Sequence, residues 1–173
     1  MSVAYPWVEP PWPDKEMPRD QLEDRIQQVL AATNLCVLAT VGKNGRPIAS
    51  PIEYYADGFD LYMLPDPDTP KLHAMQRDPH VSVGIHLPYF GWHSARGVQY
   101  FGRAEIMEPH APGWDRGMKV FRWHEWVTDL GMDASQPFER QVLKVMPDRI
   151  LLTDTWLWKL GFQAKQQWRR SAE

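Results

Sequence analysis

Thr69, Pro70 and Lys71 are the residues of this chain best suited to chemistry, and that chemistry is the holding of an anion. Threonine is a favoured N-cap, and proline is favoured at the first helical position, where a missing N–H costs nothing. Lys71–Arg77 then reads as a short helix whose first turn offers unbonded N–H groups and partial positive charge. The helix dipole disfavours a lysine in that turn, and a bound anion explains its presence. The same pattern also fits a surface lysine whose ammonium reaches away into solvent.

The elements around this site must position it. Leu35–Val41 (LCVLATV) is an apolar run of strand length, and the Asn44-Gly45 pair after it is a strong hairpin signal because both turn positions tolerate positive φ. Pro47–Tyr55 is the second strand. Pro51 inside it has no N–H to donate, so it fits an edge, a bulge or a ladder opened towards a ligand. Asp57-Gly58 makes the next turn, Phe59–Leu64 alternates as a third strand, and Pro65-Asp66-Pro67-Asp68 is the loop that opens the helix. After Asp78-Pro79 come a fourth strand, Val81–His86, an aromatic loop, Leu87–Arg96, and a fifth strand, Gly97–Met107, in which Gly102 marks a bulge or close approach. Gly113–Leu130 predicts a helix closed by Gly131, Glu139–Met146 leads into a last strand around Arg149–Thr153, and a Trp-containing tail follows. Upstream, Asp20 with Glu23 suggests a capping box, and Leu22, Ile26, Val29 and Leu30 follow at helical spacing. Residues 1–19 are Pro-rich and aperiodic, an extended arm in which Tyr5, Trp7 and Trp12 could pack on a neighbour.

Composition bounds the rest. At 173 residues, 43% hydrophobic and 24% charged, the chain suits one domain, 20–173, with a substantial core. No apolar run approaches the ~20 residues of a spanning helix, and the N-terminus lacks a signal-peptide pattern, so a cytoplasmic protein is expected. A net charge of −3 without a basic cluster argues against nucleic-acid binding. Cys36 is the one cysteine and sits in an apolar run, so no internal disulfide is possible. Trp7, Trp12, Trp114, Trp123, Trp126, Trp156, Trp158 and Trp168 lie outside the strand-rich middle and suggest a surface for a partner, most simply a second copy.

About six strands joined by short turns, with helices added, predict a mainly β protein: a six-stranded antiparallel split β-barrel of Greek-key type with flanking helices. Here LCVLATVGKNGRPIASPI, FDLYMLPDPDTPKLHAMQRDPHVSVGI and GVQYFGRAEIM, in that order and spacing, resemble the pyridoxamine 5′-phosphate oxidase-like proteins with an FMN-binding split barrel. The resemblance implies a homodimer with FMN between its subunits and a small-molecule substrate. It assigns Ser50, Pro51 and Ile52 to the strand facing the isoalloxazine ring, Met63 and Leu64 to the ribityl chain, and Thr69 and Lys71 to the phosphate. Trp156, Trp158 and Arg169 are candidates for the second subunit's contribution. Ser50 stands where the oxidase proper has arginine, and Gly97 lies near the position of a glutamine, so vitamin B6 oxidase activity is not expected.

A flavin-dependent oxidoreductase is therefore the leading expectation, with no catalytic residue assigned, since hydride chemistry resides in the flavin. A deazaflavin could replace FMN, and a non-catalytic flavin carrier or sensor would use the same site. A haem-binding or haem-degrading relative is the alternative on the same barrel, with His73, His80, His86, His93, His110 and His124 as possible axial ligands. Grouping His86 and His93 with His110 or His124 fits no zinc spacing, and no metal site is expected. No nucleophile-elbow motif occurs.

Overall fold

The structure, a computed structural model, describes residues 11–136 and 138–171, with the backbone alone at Trp92. Tyr5 and Trp7 of the expected arm lie outside the described residues. Helix α1 (Arg19–Ala31) precedes β1 (Leu35–Val41), β2 (Pro47–Glu53), β3 (Tyr55–Asp57) and β4 (Asp60–Met63). Helix α2 (Pro70–Arg77), β5 (His80–His86) and β6 (Arg96–Met107) follow. Next come α3 (Trp114–Phe121), α4 (Trp123–Asp129), β7 (Val142–Asp154) and β8 (Lys165–Arg169).

One antiparallel sheet of eight strands runs in the order β2-β1-β5-β6-β7-β4-β3, with β8 also paired to β7, so the expected count of six is too low. Strands β2 and β3 lie at opposite ends of this order, yet Tyr54 alone separates them in the chain. The two Cα steps from Glu53 to Tyr55 reach at most ~7.6 Å, so the sheet must curl until its two edges meet. Tyr54 fixes this corner: it is buried, its hydroxyl donates to the Leu30 carbonyl at 3.1 Å, and its N–H donates to the Asn34 carbonyl at 2.8 Å.

Inward-facing residues of the curled sheet make the core, among them Leu38, Leu61, Val83, Tyr100, Leu143 and Ile150. Leu22, Ile26, Val29 and Leu30 of α1 join it, as their spacing predicts. The capping pair at Asp20 and Glu23 does not form. The helix begins at Arg19 after Pro18 without a side-chain cap, and Glu23 instead accepts from the Trp168 indole N–H at 2.7 Å.

The expected helix over 113–130 is two helices, because Arg122 adopts a left-handed φ of 58° and ends one where the other starts. Strand β7 is longer than expected and contains Pro147, which lies opposite Gly102. The register of β6 against β7 shifts there, which is the bulge that Gly102 suggests. A β-carbon at Gly102 would lie 2.1 Å from the Met146 carbonyl oxygen, so only glycine fits. Two of the tryptophans expected on a partner surface are core residues: Trp168 on β8 and Trp114 on α3 are 4% and 8% exposed.

Candidate functional site

Helix α2 begins where the sequence predicts, with Thr69 at the N-cap position and Pro70 first in the helix. The Thr69 hydroxyl does not cap the helix; it donates to the Asp66 carbonyl at 3.2 Å and so tightens the preceding loop. The His73 N–H bonds to the Thr69 carbonyl at 3.2 Å, which leaves the amides of Lys71 and Leu72 without an intrahelical acceptor. Lys71 is half-buried and makes no ion pair among the described residues. The two carboxylates of the loop are already engaged, Asp68 with His73 Nε2 at 3.0 Å and Asp66 with Arg140 Nη2 at 3.0 Å. Lys71 itself has no carboxylate partner among the described residues.

Ser50, Pro51 and Ile52 lie on β2, an edge strand of the sheet order, in register with Leu38, Val37 and Cys36 of β1. The edge position accounts for Pro51, whose missing N–H is tolerated there. Helix α2 packs on β1 as well, so the helix and the strand that carries Ser50–Ile52 share β1 as a common neighbour. Met63 turns its side chain into the core at 0% exposure and offers a ligand its backbone alone, whereas Leu64 is partly buried on the outer cluster around Trp114.

Trp156 and Trp158 sit in a 3-10 turn, Thr155–Leu160, after β7. In the sheet order β7 is separated from β2 by β1, β5 and β6 one way and, because the curl brings β3 to β2, by β4 and β3 the other. The turn is held by Asp154, 1% exposed, whose Oδ1 accepts the Trp156 N–H at 3.0 Å. Its other oxygen stands 3.3 Å from Arg25 Nε and 3.0 Å from Arg96 Nε, an ion-paired arrangement rather than aligned hydrogen bonds. Trp158 packs on Trp12 at 4.7 Å, which ties the described part of the arm to this turn, and Arg169 is exposed on β8.

Two cavities stand out that spacing could not reveal. One of about 810 Å³ lies on the outer sheet face, lined by Val37, Ala39, Gly84, Arg96, Gly97 and Lys165 among others. Gly97 has no room for a longer residue, since a β-carbon would lie 2.6 Å from the Ile85 carbonyl oxygen. A second, of about 690 Å³, lies over α3 and α4, walled by Trp114, Trp123 and Phe138. Arg96 and Lys165 are invisible to local periodicity because strand pairing, not sequence proximity, sets them opposite Asp154 and Thr153 of β7 and on one cavity.

The histidines are dispersed. His73, His80 and His110 each face a carboxylate, Asp68, Asp78 and Glu139, at 3.0, 2.6 and 3.0 Å. His86 lines the sheet-face cavity, His124 stacks on Trp123, and His93 lies in the turn Trp92–Ser94. No group of three metal-ligating side chains occurs among the described residues. Cys36 is buried, its thiol pushed up to about 12 by burial, so it is no nucleophile. Among the described residues no helix is long and apolar enough to cross a membrane.

Known proteins share this architecture. A candidate pyridoxamine 5′-phosphate oxidase from Listeria innocua is 25% identical, with a TM-score of 0.61 over 76% of this chain and 97% of that one. A heme binding protein from Mycobacterium smegmatis is 18% identical, with a TM-score of 0.62 over 90% of this chain and 60% of that one. A FAD-binding protein from Mesorhizobium loti is 19% identical, with a TM-score of 0.58 over 79% and 92%. No curated protein matches the sequence. The sequence profile of pyridoxamine 5′-phosphate oxidase matches residues 22–154, from α1 to the end of β7, and the chain belongs to that family.

Proposed function

We propose that the chain binds FMN between two copies of itself and acts as a flavin-dependent oxidoreductase on a small molecule. The observation that carries this reading is Lys71: a half-buried lysine in the first turn of α2, beside two free amides, with no ion pair among the described residues. A phosphate supplies the missing charge and accepts those N–H groups. Along the edge of β2, backbone groups of Ser50–Ile52 would orient the ring, while Leu64 and the backbone of Met63 would flank the ribityl chain. The bound flavin would supply hydride chemistry, and the protein would orient it and exclude water.

The second subunit enters because Trp156 and Trp158 sit on the turn after β7, apart from the strand that would face the ring. A partner laid over the outer face of β1 and β5 would bring its own Trp156 turn, Arg96 and Lys165 towards that ligand. Ser50 in place of an arginine, and the closed space at Gly97, favour a substrate other than the B6 phosphate esters.

Replacing Lys71 by alanine tests the reading. FMN affinity is expected to fall by about 1–3 kcal/mol, the range for a charge-assisted contact. Unchanged affinity by titration of flavin absorbance would remove the anion site from the argument. Bound FMN without turnover by NAD(P)H or another reductant would assign a carrier or sensor, and deazaflavin binding in place of FMN would exchange the cofactor. A second reading rests on His86, the one histidine among the residues lining the sheet-face cavity, and takes haem as the ligand there. A Soret band on haemin titration, with no uptake of FMN, would select it.

A further inference from the structure

The loop between β4 and α2 is short, carries two prolines and two acids, and forms no strand or helix of its own. Something else must hold its shape. Asp68 stands in the left-handed region at φ 57°, a conformation that a non-glycine residue keeps only where its surroundings enforce it. The Asp68 carboxylate meets His73 at 3.0 Å, and the rest of the loop is held from far along the chain. One guanidinium nitrogen of Arg140, Nη2, donates to the Pro65 carbonyl at 3.1 Å and to the Asp66 carboxylate at 3.0 Å. The Arg140 side chain is 25% exposed, and the Trp114 indole donates to the Arg140 carbonyl at 2.7 Å. From there the connection runs on through the loop, where the Asp66 carbonyl accepts the Thr69 hydroxyl, one residue before the first turn of α2.

We infer that Arg140 is a positioning residue for the anion site at Lys71. It fixes the loop that presents Thr69, and it cancels the Asp66 charge that would otherwise repel a phosphate. The inference rests on the flavin reading above and deepens it: a residue with no place in the phosphate grip sets how well the grip works. Two effects combine. Without Arg140 the Pro65 carbonyl loses its donor, and the carboxylate of Asp66 stands unneutralised near the site, where like charge disfavours binding. Both effects act at Pro65 and Asp66, beyond Leu64 on the side of Thr69, so the consequence should fall mainly on the phosphate.

Comparing FMN with riboflavin, which lacks the phosphate, isolates that consequence. Calorimetric titration of the full-length protein should show FMN bound more tightly than riboflavin. Arg140→Gln is expected to weaken FMN binding about tenfold, as loss of a charge-assisted contact would, and to leave riboflavin binding unchanged. Arg140→Lys keeps the charge and should restore part of the loss. Asp66→Asn removes the repelling carboxylate and should recover FMN affinity when combined with Arg140→Gln. Equal losses for FMN and riboflavin, or FMN affinity indifferent to Arg140, overturn the inference while the flavin reading stands. If Arg140→Gln does not fold, Arg140→Lys against Asp66→Asn makes the same comparison, and a pair that leaves the FMN-to-riboflavin ratio unchanged overturns it. A wild-type protein that binds neither flavin overturns the reading on which the inference rests.

Discussion

Cys36 shows how one residue reports its surroundings. Its side chain points into the barrel, and its thiol donates to the Ile52 carbonyl at 3.4 Å. Burial raises its pKa from the ordinary 9.0 to about 12, because the core cannot solvate a thiolate. On the order of a thousandfold less thiolate is then present than on a free cysteine, so iodoacetamide should leave the native thiol intact at pH 8 and modify it only after unfolding. The same shift has a consequence for stability. The unfolded chain releases this proton near pH 9 and the folded chain only near 12, so the contribution is complete below pH 9 and is lost as pH rises towards 12. Burial also raises Tyr54, with Cys36 adding to the shift, and the two act in the same direction. The stability read from urea unfolding should therefore decline by as much as ~1.4 kcal/mol per pH unit for each group, from pH 9 for Cys36 and from pH 10 for Tyr54. Cys36→Ala should flatten the first part of that decline; an identical slope would mean that the thiol is not the group responsible.

At the scale of elements, Gly102 and Pro147 belong to one device. Proline cannot donate to the ladder, and the register shift between Phe101 and Gly102 places Pro147 where no such bond is required. The price is a backbone approach so close that Gly102→Ala should destabilise the fold by about 3 kcal/mol or more, since the obstacle is the Met146 carbonyl and not a movable side chain. Chemical denaturation measures this directly, and a loss below ~1 kcal/mol would show that the bulge relaxes. The glycine was legible in the sequence, and so were α1 by its apolar spacing, α2 by its first residues, and β1 and β5 as apolar runs of strand length. Strand β8 was not. In KQQWR the inward positions are Gln166 and Trp168, and alternation is hidden because a glutamine fills a core position. Gln166 is admitted there because it accepts from the Met17 N–H at 3.0 Å and donates to the Gln163 carbonyl at 2.8 Å, partners that only the folded chain supplies. The break at Arg122 escaped for a similar reason: nothing in WDRGMKVFRWHEWVTDL marks a left-handed residue. In the candidate site, capping chemistry and spacing disclosed the start of α2, whereas Arg140 is 74 residues from Asp66 and no local pattern could join them.

For the whole molecule, the outer face of β1 is the feature that one protomer leaves unexplained. Leu35, Val37 and Val41 point outward at 59%, 39% and 49% exposure, while the alternate residues Cys36, Leu38 and Thr40 fill the interior. Three exposed aliphatic residues on one strand face are what a covered surface looks like before its cover is added. Val37 is the most informative, because it lies opposite Pro51 in the β1–β2 register and also lines the sheet-face cavity. If a second copy covers this face and completes the flavin site, then Val37→Lys should do two things together. The lysine would extend outward from a well-formed sheet, so the far-ultraviolet circular dichroism should be that of the folded wild type. Sedimentation should then report one chain of 20.2 kDa in place of a pair. FMN affinity should fall with dimerisation, although Lys71, Thr69 and the edge of β2 are all intact. Coupling of the two losses is the decisive point, because a wall supplied by the second copy would leave with it. A folded monomer that holds FMN as tightly as the wild type would place the whole site within a single barrel and sink the two-copy arrangement.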